Sequence, residues 1–216
     1  MAAPFSDVVR RLALPAVGLL IASLGVAACG RLGSWQTTPA DESAEAGFAR
    51  DMATHHAQAV DMSFMLRDAS TDQELRTLAA DIIVTQSTQR GIFMGWLQQW
   101  ELPQASARPR MAWMPGHAAM TSNPAGGVLM HGMATDAEMR QLHDATGTAA
   151  EILFLQLMIR HHEGGVIMAR AIADLSNRRE IVQMAKSIEE GQQVEIARMK
   201  QMLEMRGARP LTSLLE

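Results

Sequence analysis

Two short segments carry soft metal-binding side chains at one spacing: Met52, His55 and His56, then Met158, His161 and His162. A thioether three residues before an imidazole shares its face if the segment is helical, so one Met and one His can grip an ion from a single helix. Neighbouring helical residues diverge by about 100°. The two histidines of a pair therefore do not readily share an ion; one should face the interior and the other a neighbouring helix or solvent. Met62 lies about 15 Å along the axis from Met52 at the helical rise, and Met168 stands likewise from Met158. These two belong to the core or to a second site with Met65. Thioether and imidazole together favour copper, above all Cu(I), over hard Mg or Ca and over zinc.

Carboxylate-bridged di-iron chemistry needs Glu three places before His. Met52, Met114, Val128, Arg140 and Met158 hold those positions before His55, His117, His131, His143 and His161. Glu45 and Glu151 share a helix side with His56 and His162, as ligands or as acceptors behind the ligands. Beside Thr148, Glu151 is better explained as a cap. A single Met on an apolar stripe is ordinarily core, and a single buried His is ordinarily structural. The same Met, His, His register in two places is more than packing asks for.

An ungapped internal repeat positions these residues: 45–97 lies over 151–203 at an offset of 106, with fourteen identities. Glu45, Phe48, Met52, His55, His56, Val60 and Met62 fall on Glu151, Phe154, Met158, His161, His162, Val166 and Met168; Gln86 falls on Gln192. Each copy reads as two helices, because Phe48, Met52, His55, Ala59 and Met62 recur at three and four. Thr71 with Glu74 and Asn177 with Glu180 have capping-box spacing, and Thr148 with Glu151 has it again. Helices are predicted near 44–69, 72–100, 149–175 and 178–206. Pro103 stops the second, and Gly207 with Pro210 stops the fourth. Thr135 and Glu138 open a short extra helix that Gly147 ends. Two hairpins, each apolar on one side, bury those sides against each other, which predicts an all-α fold: a four-helix bundle. Trp96 and Trp100 read as core on its second helix.

F-x3-M-x2-HH-x5-M at Phe48–Met62 and at Phe154–Met168, Gln86-x2-Gln89 and Gln192-x2-Glu195, and the stretch MHGMATDAEM resemble the domain-of-unknown-function family 305. The resemblance covers nearly all of 44–206. It implies a ferritin-like fold, frequent export, and copper binding in some members. Gly164-Gly165 and Ala57-Gln58 depart from the small-polar, Gly-Ala pattern that usually follows the His pairs, and Arg90 replaces an aliphatic residue.

The crossover 103–148 is longer than a bundle turn and gathers Met111, Met114, His117 and Met120, then Met130, His131 and Met133. Loops of this length are usually functional or disordered. Such a tract suits exchangeable copper capture, or is a mobile connection with incidental methionine.

The lone cysteine of the chain, Cys29, bears on its compartment. Arg10 and Arg11 precede an apolar run Leu12–Ala28, and Val26-Ala27-Ala28-Cys29 reads as a lipobox, with 1–28 a cleaved export signal. The lipid on Cys29 would hold the protein at the membrane on the extracytoplasmic face, with 29–43 as tether; an uncleaved anchor or a core cysteine is the alternative. One cysteine among 216 residues also rules out an internal disulfide, a cysteine-rich zinc site and c-type haem attachment. With 19 basic and 23 acidic residues the formal charge is −4, which argues against nucleic-acid binding.

Three functions remain. The first is an envelope lipoprotein that binds, sequesters or delivers copper. The second is a haem-binding four-helix electron carrier with Met and His axial ligands, and the third a metal-free interaction module whose protein partner the sequence does not identify. No nucleophile with its base, catalytic carboxylate pair or phosphate-binding loop is present, so an enzyme is not expected.

Overall fold

A computed structural model describes residues 37–116 and 130–215. The signal segment, Cys29, His117 and Met120 lie outside the described residues, as does most of the tether.

Five helices follow in order: α1 (Ala44–Ala69), α2 (Gln73–Gln99), α3 (Asp136–Asp144), α4 (Gly147–Leu175) and α5 (Arg179–Met205). The described residues contain no strand, so the all-α expectation holds. None of their helices is long and apolar enough to cross a membrane. Helices α1 and α2 pair as one hairpin and α4 and α5 as the other, and α1 against α4 is the main contact between them.

The helices form where expected, but four of their ends are built differently. Asp72, not Thr71, caps α2: its carboxylate accepts from the Leu75 amide at 2.9 Å. Arg178 stands at the N-cap of α5 without a side-chain cap bond, displacing Asn177. Thr148 and Glu151 form no cap, because α4 already begins at Gly147, with Thr146 at its N-cap. Gly147, at φ 57°, opens α4 and does not end α3. Only Thr135 with Glu138 makes the reciprocal box. For Glu151 the reason is tertiary. Glu151 accepts from the Ser70 hydroxyl at 2.6 Å and from Arg206 Nε at 2.9 Å, and charge-assisted bonds of that kind outweigh one backbone amide.

That contact recurs in mirror order. Ser176 donates to Glu45 at 2.7 Å, so the C-terminal end of each inner helix is clamped to the N-terminal end of the other. Helices α1 and α4 are therefore antiparallel and exchange roles, as a pseudo-two-fold relation requires. Behind the clamps the chemistry differs: Arg206 pairs with Asp72 at 2.8 Å, while Arg178, the counterpart of Asp72, lies over the ring of Trp100, the counterpart of Arg206, at 5.7 Å.

Two apolar clusters fill the interior. One holds Met62, Leu66, Leu78, Ile82, Phe154, Met158 and Met199; the other holds Phe48, Met52, Phe93, Met168, Ile172 and Ile188. Trp100 joins the second cluster and Trp96 packs against it.

The first part of the crossover is packed against α1. Asp51 accepts from the Met111 amide at 2.8 Å and from Trp113 Nε1 at 2.9 Å, and burial raises its pKa. The indole of Trp113 lies so close to Gly47 that a Cβ there would come within 2.6 Å of it. Met111, Met114 and Met130 are buried in the same cluster as Met52, so their thioethers serve the core and do not form a solvent-facing tract.

Candidate metal centre

Between the two apolar clusters lies a layer of imidazoles. His55, His56, His161 and His162 all have zero solvent exposure. His55 and His161, one from each inner helix, stack with ring centroids 3.7 Å apart and planes tilted by 33°. His56 and His162 turn the other way, towards the outer helices: His56 Nε2 meets Gln89 Oε1 at 2.8 Å, and His162 Nε2 meets Glu195 Oε2 at 2.8 Å. The expected division of each pair, one inward and one towards a neighbouring helix, is what the structure shows.

These contacts set the tautomers. A carbonyl or carboxylate oxygen only accepts, so His56 and His162 carry their proton on Nε2. His55 does the same, donating from Nε2 to the backbone carbonyl of His131 at 3.1 Å. Each is left with a lone pair on Nδ1, and the Nδ1 atoms of all three are buried without a hydrogen-bond partner. Both ring nitrogens of His161 share that condition. Burial, reinforced by the neighbouring imidazoles, holds His55 down at about 3 and lowers His161 well below the usual histidine range. Burial lowers His56 to about 3 as well, against the bond it donates to Gln89. Neutral imidazole is the ligating form.

Two amides complete the layer. Gln86 on α2 and Gln192 on α5 are equivalent in the repeat, and both are buried with neither amide atom partnered. The Gln192 amide packs against Gly165, where a Cβ would collide with its Oε1. Buried polar groups are nearly always satisfied, so this concentration of orphaned donors and acceptors calls for an occupant.

The second part of the crossover closes one side. A Cβ at Gly132 would collide with the carbonyl of Arg160, and a Cβ at Gly164 with the carbonyl of His131. These two glycines let the crossover and α4 touch backbone to backbone, and that contact delivers the His131 carbonyl to His55. Gln58 grips the same segment by donating to the Ala134 carbonyl at 2.9 Å and accepting from its amide at 2.8 Å.

The antiparallel inner helices redistribute the methionines. Met52 falls in the cluster of Met168, and Met62 in that of Met158, on opposite sides of the histidine layer. Met52 and Met158 therefore do not meet across the core to make one set with the histidines, because antiparallel packing sends them to opposite sides. Glu45 sits at the Ser176 clamp and Glu151 at the Ser70 clamp, both engaged away from the imidazoles. His131 and Met133 are half-buried beside the layer. Among the described residues no three His, Cys, Asp or Glu side chains converge on one ion position. A donor set here must join one or two Nδ1 atoms to thioether or amide donors.

Sequence reasoning passed over the partners. Gln89, Glu195, Gln86 and Gln192 were visible only as a motif, although the identity of Gln86 and Gln192 in both copies was a signal. Nothing in the sequence pointed to the His131 carbonyl.

No curated protein matches the chain. Among solved structures, a Streptomyces coelicolor protein described, by inference, as secreted and as DUF305 is 44% identical, with a TM-score of 0.73 over 80% of this chain and 99% of that one. A DUF305 fragment from Deinococcus radiodurans is 32% identical, with a TM-score of 0.62 over 75% of this chain and 96% of that one. CopM in its Cu(II)-bound form is 29% identical, with a TM-score of 0.56 over 75% of this chain and 96% of that one; it has also been solved with silver. The family model described as "Domain of unknown function (DUF305)" matches residues 45–203, which takes in both hairpins and the whole histidine layer, and the chain belongs to that family.

Proposed function

We propose that this protein binds copper, Cu(I) in preference, at the histidine layer, and that it does so as a sequestering or delivering protein and not as an enzyme. The observation that carries this reading is the set of Nδ1 atoms, buried and without partners, on His55, His56 and His162. Glu195 and Gln89 hold two of these rings from behind, the arrangement that orients metal-ligating histidines. Met52 and Met158, one on each side of the layer, each bring a soft thioether to the imidazoles on their own side, and such donors suit Cu(I) better than zinc. That CopM is solved with copper and with silver supports the choice of metal.

The domain is read as a ferritin-like four-helix bundle built by duplication, on the strength of its two reciprocal hairpins. It works on the extracytoplasmic face, anchored through lipid on Cys29, as the run from Arg10 to Cys29 indicates. Competition with a chromogenic Cu(I) chelator tests the metal: the full chain should withdraw copper, and replacing His55, His56, His161 and His162 by Gln should abolish this. Equal uptake by both proteins would refute the site, and a Soret band in the purified protein would favour haem. Cys29→Ala should release the protein from membranes or leave an uncleaved precursor; unchanged fractionation and mass would refute the anchor.

A further inference from the structure

The duplication gives each half of the histidine layer its own groove at the surface. Ala57 and Arg90 directly follow His56 and Gln89, and they line an open cavity of about 230 Å³ between α1 and α2. Glu163 and Ile196 directly follow His162 and Glu195, and are the counterparts of Ala57 and Arg90 between α4 and α5. Each groove therefore runs beside one imidazole and the side chain that holds it.

The second groove is covered. Beyond α5 the chain runs back along α4: the Arg209 carbonyl accepts from Gln156 Nε2 at 2.8 Å, and the Glu163 carboxylate accepts from the Ser213 hydroxyl at 3.0 Å and the Leu214 amide at 2.8 Å. Glu163 is only 2% exposed and Ile196 is buried, whereas Ala57 is half-buried and Arg90 exposed. After α2 the chain starts the same way, with Arg50 Nε donating to the Pro103 carbonyl at 2.9 Å. It then leaves towards the start of α1, where Arg108 donates to the Glu42 carbonyl at 3.0 Å.

The covering segment is able to lift. It lies wholly beyond α5, which ends at Met205, so it can open without melting a helix. Leu211, Leu214 and Leu215 are each more than a third exposed, and little apolar burial opposes the motion. Once its two strap donors have gone, Glu163 still has a charged partner. Lys200 Nζ stands 3.8 Å from its carboxylate, so the open state leaves no buried charge alone.

We propose that residues 209–215 are a strap that gates the His162 half of the layer, while the His56 half exchanges metal freely through the open groove. This rests on the copper reading above. A gate that ligates nothing changes the rates of entry and exit by one factor and leaves the affinity alone. The test loads the full chain with Cu(I) and withdraws the metal with excess chromogenic chelator in a stopped-flow spectrometer. Beside it run a chain ending at Ala208 and the double variant Ser213→Ala, Leu214→Pro, which removes both strap donors to Glu163. The full chain should release copper in two phases. In both variants the slow phase should quicken roughly tenfold or more, with the fast phase, the equilibrium affinity and the helical circular dichroism unchanged. A single phase in the full chain, a slow phase indifferent to the strap, or faster release matched by an equal loss of affinity would overturn the gate. A full chain that takes up no Cu(I) would overturn the copper reading itself, and the gate with it.

Discussion

At the scale of single residues, the two copies of the motif differ in one functional detail: Gln89 backs His56, while Glu195 backs His162. A carboxylate makes the imidazole it holds a stronger donor than a carboxamide does. Glu195→Ala should therefore lower copper affinity about ten- to a hundredfold, and Gln89→Ala less, in the same chelator competition. Equal losses would mean that the half-layers act alike. The metal-free protein should also be acid-sensitive. His55 and His56 sit at about 3 when folded, against about 6.5 when exposed, so the unfolded chain binds protons that the folded one refuses. The sign follows: stability is complete above pH 6.5 and falls as the pH drops towards 3, by up to roughly 1.4 kcal/mol per pH unit for each histidine. Urea midpoints at pH 7, 5.5 and 4.5 should decline in that order, and a flat series would contradict the burial.

At the scale of elements, the backbone contact between crossover and α4 controls the layer's closed side. Alanine at Gly164 meets the His131 carbonyl, and alanine at Gly132 meets the Arg160 carbonyl in a left-handed conformation at φ 75°. Neither backbone can yield cheaply, so each substitution should cost roughly 2–3 kcal/mol, the upper range for overpacking. Denaturant unfolding checks this, and a loss under about 0.5 kcal/mol would show the contact to be loose. The same contact marks what could be read from sequence. Helix spans and the split orientation of each His pair follow from three-and-four periodicity, which is local, and the duplication follows from the ungapped repeat at an offset of 106. The cap at Thr148 is lost because Glu151 answers to Ser70 and Arg206, far away along the chain, while the starts of α2 and α5 fall one residue later than Thr71 and Asn177 would place them. Gly132 and Gly164 looked like ordinary loop and helix glycines, since nothing local says that two backbones meet there.

At the scale of the whole molecule, the direction of α4 against α1 decides which methionines are neighbours. Met52 and Met168 occupy one cluster, Met62 and Met158 the other. Replacing Met52 and Met168 together with Ala should show a coupling of about 0.5 kcal/mol or more, while Met52 with Met158 should be additive within that margin. A double-mutant cycle by urea unfolding reads it directly; the reverse pattern would require parallel inner helices. The end clamps carry a further consequence. At one pole Arg206 bridges Asp72 and Glu151 as an ion chain, and at the other Arg178 pairs with Glu180 at 2.9 Å and also rests on an indole. Dissolved salt screens the ion pairs at both poles, but it disturbs a guanidinium seated on a ring much less. A chain duplicated in sequence is thus polarised in its response to its medium: as ionic strength rises, fraying and hydrogen exchange should begin around Ser70 to Asp72 before Ser176 to Arg178.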